Sequence, residues 1–534
     1  EAKGENPYKV RAYRRAAQTI RGLRKSVDRM VRSGADVTRF PGIGKGVAAA
    51  VREITLNGTP GQLEMLLVEP TPEIAATNEY PALDPKRVAR IFRKLKINTV
   101  SGLKRKLADG SIRAVFGVRM EDHVRHALSD SIALLLDDAD ILAAEIQKFL
   151  QQRCGVTRAD LAGDIRRRVE TITEIVFLVE TADFPGTVRR LSLFRGGIDP
   201  VKVGERDAIF QIPASVLLII RGATNENWGT ALATATGSAA HLKELKAVGG
   251  LARRAKTESE VYSTVGLDWV PPELREGRGE VALAARGNLP VLVKLEDIRG
   301  DLHMHTLASD GMDSIEAMAE GAKARGYEYL GITDHSQSLK IARGVTVRNL
   351  WAQIRRIDKL NGRLSGIRIL KSAEVDILAD GSLDYPDDLL AELDYTICSI
   401  HSRFQLGKTE QTERILRAMD HPAFNIMGHA TGRLLLRRSG YEIDLDRIVA
   451  HAKARRCYFE INADPDRLDL SADNVRLVAN AGIKIAINTD AHRVTGLDYM
   501  RCGIDVARRA ALERSDVLNT ASLAQLTRRL RRGS

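Results

Sequence analysis

Val10, Tyr13, Ala17, Ile20, Val27 and Val31 recur at helical spacing with basic residues between them, which predicts an amphipathic helix with a positive outer face. The stretch Pro41-Gly42-Ile43-Gly44-Lys45-Gly46-Val47-Ala48 opens a second helical segment. Val88, Ile91 and Leu95, then Ile132, Leu135, Ile141 and Ile146, predict short helices over residues 85–150. The pattern changes between about 155 and 225, where the runs 173–179 and 216–220 are nearly continuously apolar, as in strands of a covered sheet. Residues 240–265 return to helical spacing. A turn-rich stretch of mixed charge, Pro271-Pro272-Glu273-Leu274-Arg275-Glu276-Gly277-Arg278-Gly279, reads as the start of a linker running to Ile298. From there to about residue 515 apolar runs alternate with helices, the signature of a parallel barrel or sheet. No internal repeat is visible.

Length and composition narrow the class. At 534 residues the chain is too long for one core, so several domains are expected. Its 44% hydrophobic and 28% charged residues, with no long low-complexity tract, fit a soluble globular protein. No apolar run approaches the roughly 20 residues needed to span a bilayer, and the first residues are charged rather than signal-like, so no membrane partner is expected. Cys154, Cys398, Cys457 and Cys502 are scattered, with neither a paired zinc spacing nor a disulfide framework, and point to a reducing cytoplasm.

The net charge of +12 favours polyanionic partners. It is concentrated at Lys9, Arg11, Arg14, Arg15, Arg21, Arg24, Lys25, Arg29 and Arg32, and again at Arg528, Arg529, Arg531 and Arg532. Each run reads equally as a solvated helix face or as a contact for nucleic acid.

The densest chemistry lies in the last part of the chain, where six of the eleven histidines fall in short motifs, so chance placement is a poor explanation. They are Asp301-Leu302-His303-Met304-His305-Thr306, Ser309-Asp310-Gly311, Gly331-Ile332-Thr333-Asp334-His335-Ser336, Ala373-Glu374-Val375, Ser399-Ile400-His401-Ser402, Gly428-His429-Ala430 and Asn488-Thr489-Asp490-Ala491-His492. Alternation in the HxH segment puts both imidazoles on one side of an extended strand, able to share a metal. The apolar runs 327–333, 367–370 and 483–487 end beside ionisable residues, and the C-terminal rim of such strands is where barrel enzymes carry chemistry. Mixed histidine and carboxylate ligands suit Zn, Mn or Fe rather than Ca or Mg alone.

These motifs resemble the PHP (polymerase and histidinol phosphatase) domain over essentially all of residues 299–534. The resemblance implies a distorted (β/α) barrel with up to three metals. One would be held by His303, His305, Glu374 and Asp490. Glu374 would bridge to a second, held also by His401 and His429, and Asp310, His335 and His492 would hold the third. Ions so placed activate water for in-line attack on phosphorus. His421 and His451 lie outside the motifs and read as structural or surface residues. Arg433 is a candidate catalytic residue that either clamps a phosphate or serves a structural ion pair, while Asn462, Asp466 and Arg467 follow a strand and can face the rim.

The front of the chain resembles the bacterial family X DNA polymerases that carry a PHP domain. The opening Asn6-Pro7-Tyr8-Lys9-Val10-Arg11-Ala12-Tyr13-Arg14-Arg15-Ala16-Ala17 carries the likeness, as do Ala162-Gly163-Asp164-Ile165-Arg166-Arg167 with Glu170-Thr171, and Ala235-Thr236-Gly237-Ser238-Ala239-Ala240-His241. Segments 269–280 and 297–305 resemble the join to the PHP domain. In that context Pro41-Gly42-Ile43-Gly44, by itself a tight turn or a helix-hairpin-helix, implies DNA-phosphate binding at Gly42, Gly44, Lys45 and Gly46.

The implied architecture is multidomain α/β. It comprises a helical helix-hairpin-helix domain (1–75), a helical fingers-like domain (76–150), a palm-like α+β nucleotidyltransferase domain (151–225), a thumb-like domain (226–280), a linker (281–298) and the PHP domain (299–534). Nucleotide contacts would fall on Gly163, Arg167, Gly237 and Ser238.

Departures from the family pattern decide what to expect of the front half. Asp164 stands where a serine contacts a triphosphate, Glu174 and Val176 replace two metal-binding aspartates, and Gln211 falls near the third carboxylate. Two-metal transfer with Mg or Mn needs those carboxylates, so ordinary polymerisation is not expected, while weak or Mn-dependent use of dNTPs around Glu174 stays open. Ala49-Ala50-Val51 lacks a lyase lysine, the second hairpin (80–85) lacks both glycines, and Phe116-Gly117-Val118-Arg119 keeps one glycine of a further motif. The reading favoured by the residues is a monomeric, nucleoid-associated 3′→5′ exonuclease or phosphoesterase in DNA repair, acting on DNA ends, gaps or single strands. The alternatives are a polymerase with accessory nuclease, an end-binding scaffold, and a small-molecule phosphatase.

Overall fold

A computed structural model describes residues 30–31, 37–39, 43, 45–57, 72, 76, 83, 85–128, 133–212, 216–251 and 254–531, and the chain divides into two compact units, 1–130 and 131–534. In the first unit, Lys45–Asn57 is a helix whose Val47 packs with Met30, Val31, Val37 and Ile43. Most of the basic helix expected over residues 10–31, with Gly42 and Gly44, lies outside the described residues; Lys45 and Gly46 occupy the first turn of this helix.

The helices Pro85–Leu95, Val100–Ala108, Ser111–Phe116 and Val118–Ala127 follow. Pro85 starts the first at a position that needs no N–H donor, and Val88, Ile91 and Phe92 turn inward. They meet Leu103, Ile112 and Val124 in one core. Thr99 caps the second helix by accepting from the Gly102 amide at 3.1 Å. Gly117, at φ 81°, ends the third.

The second unit opens with a mixed sheet of β1 (Arg158–Ala162), β2 (Glu174–Glu180), β3 (Asp199–Val203), β4 (Asp207–Gln211) and β5 (Leu217–Gly222), in the order β1-β2-β5-β4-β3. Only β2 and β5 run parallel. The helix Leu136–Arg153, which the sequence assigned to the fingers-like part, packs with this sheet: Leu142, Ile146 and Leu150 share a core with Phe177, Val179 and Leu218. Short helices Trp228–Thr236, Ala239–Ala247 and Glu258–Ser263 come next.

The expected linker is not a loose tether. Val281, Ala284, Leu292, Val293 and Ile298 are all buried, and the Val293 amide donates to the Leu512 carbonyl. Their irregular spacing leaves no helical or strand period to read. Arg275 at the head of this stretch is fully buried, with its guanidinium 2.5 Å from Glu258 and donating to the Val270 carbonyl.

From residue 300 on, every strand is parallel to its neighbour. Strands β6 (Gly300–Asp301), β7 (Tyr329–Ile332) and β8 (Arg368–Lys371) form one sheet in the order β8-β7-β6. Strands β9 (Glu374–Asp376), β10 (Ile397–Ser399), β11 (Ile426–Met427), β12 (Tyr458–Asn462) and β13 (Ile485–Asn488) form a second, in chain order. The ladders are those of two sheets, not one continuous barrel wall. Single bridges link them, Met304 with Ala491 and His335 with Glu374, and one large core of buried Ile, Val, Leu and Met lies against both.

Removing Arg275 strips buried Glu258 of one of its two guanidinium partners, leaving Arg166 at 2.6 Å, and empties the space of a fully buried side chain. Arg275→Ala should therefore destabilise the second unit by about 3 kcal/mol. Urea unfolding followed by circular dichroism checks this; an unchanged midpoint would contradict it.

Candidate metal centre

Six strand ends place the site. His303 and His305 lie just past β6, His335 three residues past β7, and Glu374 three past β8. His401, His429 and Asp490 each fall two residues past the ends of β10, β11 and β13. Parallel strands of similar length end on one rim, so side chains scattered over nearly two hundred residues converge.

Glu374 is at the centre and only 1% exposed. One carboxylate oxygen lies 2.9 Å from His429 Nε2 and 3.2 Å from His401 Nε2. The other lies 2.7 Å from His335 Nδ1, 3.5 Å from His303 Nε2 and 3.7 Å from His305 Nε2. Asp490 Oδ1 is 2.9 Å from His305 Nε2 and 3.5 Å from His303 Nε2. Asp310 Oδ1 is 3.3 Å from His492 Nε2 and 3.6 Å from His335 Nε2.

Three sets have ligand atoms within 4.8 Å of one another: His303, His305 and Asp490; His335, Glu374 and His401; and His305, Asp310, His335 and His492. These sets hold eight of the nine residues singled out by the sequence, and His429, 2.9 Å from Glu374, adjoins them. His421 and His451 are outside this cage, partly exposed, paired with Asp387 and Asp420.

The cage fits divalent cations. His303 Nε2, His305 Nδ1 and His429 Nδ1 are buried and have no hydrogen-bond partner, and His335 Nδ1 and Glu374 Oε2 meet only as an ion pair at 2.7 Å, although buried polar atoms are almost always satisfied. His429 and Asp490 also hold left-handed backbone, at φ 23° and 55°, a conformation that costs energy in residues other than glycine. His303, His305 and Glu374 are sealed, whereas the side chains of Asp310 and His492 are 33% and 34% exposed and mark the mouth.

Burial disfavours every charge here, and the mutual pairing overcomes most of it. Against burial, Glu374 and then Asp310 push His335 up to about 10. His401 rises to about 9 against burial through Glu374 and Asp376, and His492 to about 9 through Asp310 and Asp490. His305 is lowered to about 4 by burial and by the cations His335 and His492. Despite burial, the surrounding imidazoles hold Glu374 and Asp490 well below the usual carboxylate range.

Sequence reasoning missed several residues that brace the cage. Glu460 Oε2 is 2.9 Å from His303 Nδ1, Asp376 Oδ1 is 2.7 Å from His401 Nδ1, and Asp334 accepts from Thr306, Ser309 and Gln353. A carboxylate within an otherwise apolar buried strand, as in Tyr-Phe-Glu-Ile-Asn of β12, was the available signal.

Of the two roles open to Arg433, it serves the structural ion pair and not the phosphate clamp. Its guanidinium is 2.7 Å from Glu170 and donates to the carbonyls of Arg467 and Leu468, so it ties a loop to the palm-like sheet and is not free to clamp a phosphate. Arg467 instead faces the cage, 3.6 Å from Asp490.

In the palm-like sheet, Glu174 and Gln211 both pair with Leu217, from opposite sides. Between them the surface is apolar: Val176 is buried with Ala162, Ile219 and Trp228, and faces Gly163, which sits at φ 68°. Arg167 is already engaged by Asp164, Glu276 and the Thr236 carbonyl. Ser238, after Gly237, caps a helix by accepting from the His241 amide.

Parallel strands with a cluster of histidine and carboxylate side chains on their C-terminal rim fit a PHP domain, and the PHP domain family matches residues 301–464. A helix-hairpin-helix domain family matches residues 1–60. The chain is 34% identical, over its full length and 97% of the relative's, to the DNA polymerase/3′-5′ exonuclease PolX of Bacillus subtilis (strain 168), and it belongs to that family. A probable phosphatase of Clostridium acetobutylicum is 31% identical over 36% of this chain and 78% of its own. Another from Thermoanaerobacter sp. (strain X514) is 29% identical over 41% and 89%.

Imidazoles whose pKa is raised by folding stabilise the metal-stripped protein fully below about 6.5 and lose that contribution as pH climbs through 9 to 10. Chelator-treated protein should therefore lose stability between pH 7 and 10, and adding Mn²⁺ near pH 7.5 in weak buffer should release on the order of one proton per bound ion. Denaturant unfolding across pH and an indicator-dye titration check these; a flat pH profile together with no proton release would contradict them.

Proposed function

We propose that the chain is a metal-dependent DNA phosphodiesterase that trims 3′ ends in the 3′→5′ direction during repair, at the nucleoid. The observation that carries this reading is the convergence of His303, His305, Asp310, His335, Glu374, His401, Asp490 and His492, joined by His429 through Glu374, on one rim, with buried ring nitrogens left unpartnered. They would hold two or three divalent ions, Zn or Mn, with Glu374 shared between two of them. Ions held there supply Lewis-acid polarisation of the phosphodiester and neutralise charge at the leaving oxygen.

The chain's own residues do the rest. Leu302, Met304, Ile332 and Ala491, next to the ligands in sequence or near them, are buried, and the one-third-exposed side chains of Asp310 and His492 offer an approach for a strand end. Arg467 keeps a cation beside Asp490, where it would meet a phosphate brought to the cage.

DNA is favoured over a small phosphomonoester because the relatives named phosphatase match only part of this chain, whereas the polymerase/exonuclease matches all of it. The helix-hairpin-helix match supports a front half that grips DNA ends, gaps or single strands. The palm-like sheet disfavours nucleotide addition, since its metal positions are occupied by Val176 and Gln211 within and beside an apolar face. No helix among the described residues is long and apolar enough to cross a membrane.

End-labelled DNA, digested with and without dNTPs and Mn²⁺, tests the proposal. His303→Ala or Asp490→Ala should cut digestion by more than about 100-fold and leave DNA binding intact, because both remove direct ligands. Glu174→Ala should change neither digestion nor binding. Undiminished digestion by His303→Ala overturns the proposal, and primer extension abolished by Glu174→Ala would restore a polymerase reading.

A further inference from the structure

Glu460, on β12, is fully buried and is not one of the nine cage residues. Three of the four groups its carboxylate meets are fixed donors, and the fourth is a ring nitrogen of His303. Oε2 lies 2.9 Å from His303 Nδ1 and accepts from Asn488 Nδ2 at 2.9 Å. Oε1 accepts from the His429 amide at 2.7 Å and from Asn462 Nδ2 at 3.3 Å. Three fixed donors already occupy both oxygens, and an ionised carboxylate, which accepts at both and donates from neither, takes the Nδ1–H of His303 as the fourth. A glutamine there would turn an NH₂ toward two donors, whichever way it was set.

The contacts have a consequence at the cage. With its Nδ1–H donated to Glu460, His303 presents its lone pair at Nε2, the atom that is buried, unpartnered and 3.5 Å from both Glu374 and Asp490. The second oxygen holds the backbone of His429 at φ 23°. Asn462, one of the donors to Glu460, also donates to Asp490 Oδ2 at 3.0 Å. One carboxylate therefore orients ligands from three strand ends.

We propose that Glu460 is a positioning residue that sets the tautomer of His303 and the placement of His429, and so governs the affinity of the ion bound through His303. The inference rests on the metal reading of the cage. It sets Glu460 apart from Asp376, which braces His401 with Ser338 and bears on a different part of the cage.

The test is a Mn²⁺ titration of full-length, chelator-stripped protein by calorimetry, with bound ions counted by equilibrium dialysis. Glu460→Gln should weaken one class of site about 10–100-fold while the others keep their affinity. Glu460→Asp, which retains both acceptor oxygens, should recover part of the loss. Wild-type affinity and stoichiometry in Glu460→Gln overturn the inference. If Glu460→Gln shows no cooperative unfolding, Glu460→Asp takes its place, and wild-type binding by that variant overturns the inference equally. Wild-type protein that binds no Mn²⁺ sinks the metal reading itself, so the two failures are separable.

Discussion

A carboxylate with 1% of its surface in contact with water cannot stay ionised unless positive charge surrounds it, and Glu374 is in that position. Five imidazoles, from His303, His305, His335, His401 and His429, come within 3.7 Å of its two oxygens, and Asp310 and Asp490 add negative charge at the edges. Such a cluster is stable in two ways: with protons on several histidines, or with divalent cations in place of those protons. The second would give the buried, unpartnered Nε2 of His303 a partner. The short parallel strands, their common polarity and the two bridges that link the sheets serve the same end, since each brings a ligand to one rim.

The palm-like sheet has taken a different course. Where phosphoryl transfer would require carboxylates, Val176 and Ile219 pack with Ala162, Trp228 and Leu232. This part is nevertheless tightly joined to the PHP domain. Arg168 pairs with Asp140 and, across the join, with Asp505; Arg508 pairs with Glu273, Arg509 with Glu276, and Arg433 with Glu170. Pairs of this partly buried kind add modest stability but fix geometry. Within residues 131–534 they hold the palm-like sheet and the cage at a set spacing.

Much of the cage was legible because its residues sit at strand ends, where an apolar run stopping at His, Asp or Glu stands out. His303 and Asp490 could be read this way although they are 187 positions apart by their numbers. Val176 was equally plain, since valine cannot bind a cation. The direction of Arg433 was not legible: its neighbour His429 is in the cage, but only the folded loop shows the guanidinium turned to Glu170. Glu460 escaped because a single acidic residue in a strand resembles one on a solvent face, and its donors come from distant segments. The packed stretch after Pro271 escaped because its turn residues are dense and its buried positions follow no period.

The central claim is that the nine side chains bind a cluster of ions. Anomalous X-ray diffraction from Mn²⁺-loaded crystals, recorded at the metal absorption edge, addresses it directly. The account predicts two or three peaks within about 4 Å of one another around Glu374. Loaded crystals with no anomalous density in the cage, or with ions bound only elsewhere on the chain, would contradict it.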